Sequence, residues 1–80
     1  MGNKVEEQIK IIMSIVFKIP VEQIQDDSSP NTIELWDSLG QMNLIVALEE
    51  EFQIIFTDDE TIELLNFVLI SNIISNKLNL

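Results

Sequence analysis

The chain has no cysteine, no histidine, no tyrosine and no arginine. Without cysteine there is no disulfide staple, no thiolate metal site and no cysteine nucleophile. Without histidine, a serine nucleophile lacks its commonest base. Autonomous catalysis is therefore not expected, and any reactive hydroxyl must be activated by another protein. Basic charge is scarce as well. The only cations among the side chains are Lys4, Lys10, Lys18 and Lys77, all near the ends, against fourteen acidic residues and a net charge of −10. The span from Ile19 to Asn76 holds twelve acids and no base. Phosphate contacts need Lys or Arg, so nucleic-acid binding is disfavoured. Basic protein surfaces are the natural partners, and long-range attraction speeds the encounter. The same like charge also keeps the surface solvated.

Long apolar runs are missing too. Polar residues interrupt every apolar patch well short of the roughly 20 residues a membrane span needs. The N-terminus lacks a signal-peptide core. Gly2 is followed by Glu6 where a myristoylation motif wants Ser or Thr. The expectation is a cytoplasmic monomer, with residues 1–80 forming a single domain. The 46% hydrophobic content suffices for one modest core.

What is present reads as helix. Asn3 to Lys18 is the first. Asn3 can cap it, and Glu6 and Glu7 favour the positive end of its dipole. Val5, Ile9, Ile12 and Val16 recur at helical spacing, widened by Ile11, Ile15 and Phe17. Lys18 closes the last turn, and Pro20 forbids continuation. A long connection follows, from Val21 to Leu35. Val21 and Ile24 are expected to point inward from a short turn. Asp26 to Asn31 is polar and turn-rich, and Ile33, Leu35 and Trp36 return to the core. Trp36 reads as a packing residue. A connection of this length is usually functional or packed by its own side chains.

The next stretch, Trp36-Asp37-Ser38-Leu39-Gly40-Gln41-Met42-Asn43-Leu44-Ile45-Val46-Ala47-Leu48-Glu49-Glu50-Glu51-Phe52, organises the rest. It is one helix with Asp37 as its N-cap. Leu44, Ile45, Leu48 and Phe52 fall on one broad side, the expected core contact. Leu39, Met42 and Val46 form a second apolar stripe about 140° away, flanked by Glu49 and Glu50. Either a small bundle buries both stripes, or the second stays exposed with an acidic rim to receive a partner. Ser38 lies at the start of that stripe. Asp37 already supplies the cap, so Ser38 is not needed for it. A helix N-terminus also favours an attached phosphate.

Beyond this helix, Gln53 to Phe56 is an apolar link. Thr57 with Glu60 makes a capping box for a short third helix, to about Leu65. Asp58, Asp59 and Glu60 lack the alternating spacing and glycine of a calcium loop, so no metal site is expected. Asn66 caps the last helix, Phe67 to about Lys77, with Phe67, Ile70 and Ile74 along one face and Val68, Leu69 and Ile73 broadening it. The expected fold is all-α: a small four-helix bundle, three main helices plus one short one, with a long loop between the first and second.

Asp37-Ser38-Leu39, followed by Ala47-Leu48-Glu49-Glu50-Glu51-Phe52, resembles the second helix of acyl carrier proteins. Weaker similarity extends over nearly the whole chain. The resemblance implies that Ser38 carries 4′-phosphopantetheine through a phosphodiester, with an acyl group held as a thioester on the arm. It implies that Asp37 helps a phosphopantetheinyl transferase position its metal and substrate. Leu39, Met42, Val46, Glu49 and Glu50 are then the expected docking face for loading enzymes, synthases and transferases with basic patches. Three positions depart from the usual pattern. Gly40 and Asn43 stand where many fatty-acid-type carriers have acids, and Trp36 replaces a small residue. A glycine two places after the serine is similar to D-alanyl carriers and some specialised carriers. The cargo is therefore open between a fatty, polyketide or other specialised acyl group and an aminoacyl group of D-alanyl or peptidyl carrier type. An unmodified acidic helical interaction module is the remaining alternative.

Overall fold

The structure is a computed structural model and describes residues 4–79. The expected cap at Asn3 lies outside the described residues. Among them there are four α-helices and no strand: α1 (Lys4–Phe17), α2 (Ser38–Phe52), α3 (Asp58–Ile62) and α4 (Phe67–Lys77). A 3-10 turn at Val21–Gln23 interrupts the long loop. α1 packs against both α2 and α4.

Each main helix gives one stripe to a shared core. α1 contributes Ile9, Ile12, Met13 and Phe17, α2 contributes Leu44 and Leu48, and α4 contributes Phe67, Ile70 and Ile74. Ile45 and Phe52, on the same side of α2, are half-buried against this core. The sequence reading missed Met13 and placed Ile11 and Ile15 too far inward: Ile15 is 70% exposed. α2, α4 and the 3-10 turn of the long loop cover α1, and they bury a narrower stripe than its run of branched residues suggests. Val68 and Leu69 lie on the open side of α4 for the same reason.

Two helices end in one way. Lys18 and Gln53 adopt left-handed backbone, with φ 59° and 55°. The next residue folds back in each case, Ile19 N–H to Ser14 O at 3.2 Å and Ile54 N–H to Glu49 O at 3.2 Å. This six-to-one closure satisfies a terminal carbonyl and turns an apolar residue inward. Ile19 and Ile54 duly pack against the core. Lys18 thus lies beyond the helix rather than in its last turn.

The long loop is a chain of turns. Ser28 is buried, and its hydroxyl accepts from Gln25 N–H at 2.8 Å. Thr32 and Ile33 both donate to Ser29 O at 3.0 Å, and Trp36 donates to Ile33 O at 3.1 Å. Ile24, Ile33 and Trp36 anchor it in the core. Val21 and Leu35 do not: both are exposed, because the turns that bury Ile24 and Trp36 point these neighbours outward. The loop also serves α4, whose first amides reach back to it, Phe67 N–H to Ser28 O at 3.2 Å and Val68 N–H to Asp26 O at 3.4 Å. Those amides have no partner inside their own helix. The loop therefore holds the end of the bundle at which α2 begins.

Candidate functional site

The site is built at the N-terminus of α2. Asp37 has extended backbone, and its carboxylate accepts from Gly40 N–H at 2.8 Å. Its carbonyl takes Gln41 N–H at 2.8 Å. Ser38 is the first helical residue, and its side chain is exposed. At that position its amide and that of Leu39 have no intrahelical acceptor. The hydroxyl is thus presented beside free N–H groups at the positive end of a 15-residue helix, an environment suited to a phosphodiester.

Gly40 fixes how close the loop comes. A β-carbon there would lie 2.0 Å from Leu35 O, 3.1 Å from Leu35 C and 3.3 Å from Phe17 Cε1. Only a residue without a side chain lets the backbone before Trp36 cross this turn of α2. Gly40 is accordingly buried and faces the loop, not the exposed stripe of Leu39, Met42 and Val46. Its lack of charge takes nothing from an exposed surface, and packing requires it whatever the cargo. Asn43, by contrast, is exposed.

Trp36 is 2% exposed and stacks on Phe17, with ring centroids 5.0 Å apart and an interplanar angle of 24°. Its indole N–H donates to Gln41 Oε1, and Gln41 Nε2 donates to Leu64 O at 3.3 Å. One side chain of α2 thereby ties the loop to the segment after α3. Between them opens a mostly apolar groove of ≈ 560 Å3, bordered by Ser38, Trp36, Gln41, Met42, Leu64 and Leu65. Sequence reasoning did not find Gln41, Leu64 or Leu65. Nothing in the pattern marks one glutamine as the link between Trp36 and a backbone carbonyl 23 residues on.

Of the two stripes on α2, one is covered and one is open. Leu39, Met42 and Val46 are 67%, 65% and 54% exposed, whereas Leu44 and Leu48 are fully buried. Glu50 is exposed beside the open stripe. Glu49 is half-buried, and its Oε2 accepts from Phe56 N–H at 2.9 Å, so it also holds the link to α3. The expected capping box is present at α3, with Thr57 and Glu60 exchanging bonds of 2.8 and 3.1 Å. Lys77 reaches Glu60 at 2.7 Å and lies over the Phe56 ring, which ties α4 to α3. The hydrogen bond from Lys77, then that from Thr57 N–H, hold the Glu60 carboxyl below its ordinary value. Among the described residues no cluster of acidic side chains is arranged to hold a metal ion.

No family model matches the chain. It is 42% identical over 66 residues to an acyl carrier protein of Buchnera aphidicola subsp. Schizaphis graminum (strain Sg), which covers 82% of each chain. The chain belongs to the acyl carrier protein family. Its fold agrees. The solution structure of a holo acyl carrier protein from Geobacter metallireducens superposes with a TM-score of 0.85 at 31% identity, over 96% of this chain and 88% of that one. Acyl carrier proteins carry rather than catalyse. They work with synthases and transferases. No helix among the described residues is long and apolar enough to cross a membrane.

Proposed function

We propose that Ser38 is the attachment point of a 4′-phosphopantetheine arm, and that the chain shuttles a group held on that arm as a thioester. The observation that carries this is the placement of Ser38: an exposed hydroxyl on the first turn of α2, capped by Asp37 and bordering an apolar groove. The residues fit such a group. The free amides of Ser38 and Leu39 suit the phosphate, and the groove beside them suits the arm. The arm supplies the thiol that this cysteine-free chain lacks. Asp37 holds the turn in shape. A phosphopantetheinyl transferase must supply the base that activates Ser38.

Leu39, Met42 and Val46 form the docking surface, with Glu50 and, in part, Glu49 as its acidic rim. Partner enzymes would bring basic patches to it, and the charge of −10 would speed their approach. The pathway class is fatty-acid, polyketide or other specialised acyl biosynthesis in the cytoplasm, with the protein acting as a monomer. Incubation with coenzyme A and a broad-specificity transferase tests the reading. The intact mass should rise by one phosphopantetheine and one titratable thiol should appear. An unchanged mass beside a control carrier that is modified would reject it.

A further inference from the structure

The segment before Ser38 carries the chain's only tryptophan, and its surroundings set a limit on what the groove can admit. Trp36 forms the inner wall of the groove, and the core lies directly behind it, through Phe17. A buried indole N–H needs an acceptor, and Gln41 provides it. Gln41 is held in turn by Leu64 O, so the amide is fixed at both ends. A chain passing from the groove into the core at Trp36 would break the ring stack and both hydrogen bonds. It would leave a buried donor unpaired. The groove on the near side is open and walled by Met42, Leu64 and Leu65, and asks no such cost of a group lying on it.

We infer that Trp36 and Gln41 form a latch that bars cargo from the core, so that this carrier holds its cargo at the surface and shelters only short groups. Trp36 is the specificity-determining residue. Gln41 is a positioning residue that acts by fixing the indole. The inference rests on the carrier reading above, and it concerns how long a cargo the chain shelters, not whether Ser38 is modified.

The test loads the full-length protein with acetyl, butyryl, octanoyl and dodecanoyl groups, using the corresponding acyl-coenzyme A and a transferase. Intact mass is recorded first. Thermal unfolding and the Trp36 indole N–H resonance are then followed across the series. In wild type the midpoint should stay within about 1 °C of the unacylated holo form, and the indole resonance should not move. Burial of a long chain would add several degrees, since each kcal/mol is about 4–8 °C in a domain of this size. In Gln41→Met and Trp36→Phe, each compared with its own holo form, the midpoint should climb with chain length. A merely structural role for either residue would lower the baseline without creating that dependence. A wild-type midpoint that rises with chain length, together with a displaced indole resonance, would overturn the latch. So would variants that stay flat through dodecanoyl. If one variant fails to fold, the other and the wild-type series still decide. A chain that never gains the arm mass rejects the carrier reading itself, and the latch with it.

Discussion

An alanine at position 40 should destabilise this protein, although alanine is the better helix former. In an open helix interior the replacement gains up to about 1 kcal/mol, and less in a first turn such as this one. Here the added methyl carbon would meet Leu35 O at 2.0 Å, where ordinary contact begins at 3.4 Å. The obstacle is backbone, not the far end of a side chain, so relief requires the loop or α2 to move by more than an ångström. Overpacking of that kind costs about 1–3 kcal/mol. The net expectation for Gly40→Ala is a loss of about 1–2 kcal/mol, or a fall in Tm of about 4–16 °C. Thermal unfolding followed by far-UV circular dichroism measures it. Asn43→Ala, at an exposed position of the same helix, is the control and should be neutral or gain a few tenths of a kcal/mol. Because the displaced backbone leads into Trp36, Asp37 and Ser38, the transferase kcat/KM should fall as well. A Gly40→Ala protein as stable as wild type, or more so, would refute the close approach.

Asp37→Ala removes the acceptor of Gly40 N–H and should cost about 0.5–2 kcal/mol, measured by denaturant unfolding. Met42→Ala and Val46→Ala should leave stability nearly unchanged, because both side chains are exposed, yet speed dissociation from the transferase in a way that added salt barely alters. Glu50→Lys should slow association, with an effect that shrinks as salt is added. Glu49→Lys should do the same and also lower Tm, since it removes the acceptor of Phe56 N–H. The Glu60 carboxyl is held below its ordinary 4.5, so its contribution is complete above that pH and is lost as pH falls through the lowered value. Lys77→Met should therefore lower Tm at neutral pH. Its deficit should narrow in acid, leaving only the part due to the Lys77 ammonium over the Phe56 ring.

What was legible in the sequence was local. Asp37, Thr57 and Asn66 cap helices in the structure as their types and spacing indicate, because a cap is settled within four residues. The core stripe of α2 was legible for the same reason: Leu44 and Leu48 repeat at helical spacing. Whether the second stripe is buried too or lies open was not legible, since that depends on how many helices surround α2. The inward placements of Val21, Leu35 and Ile15 failed on the same ground, because apolar character does not say whether a neighbour arrives to cover it. Gly40 looked like a mark of cargo class, and only the path of Leu35 shows that packing demands it. The hydrogen bonds from Trp36 to Gln41 and from Gln41 to Leu64 tie the start of α2 to a carbonyl 23 residues on, and such a contact leaves no periodic trace.

The central claim is that one hydroxyl, on Ser38, carries the arm. Its most direct test is intact-mass and peptide-level spectrometry of wild type and Ser38→Ala, after incubation with coenzyme A and an active transferase. The substitution removes no core contact from this exposed position, so the variant should fold as wild type does. Wild type should gain a single phosphopantetheine on the peptide containing Ser38, and Ser38→Ala should gain none. Modification of Ser38→Ala, or of any other residue in wild type, would contradict the account.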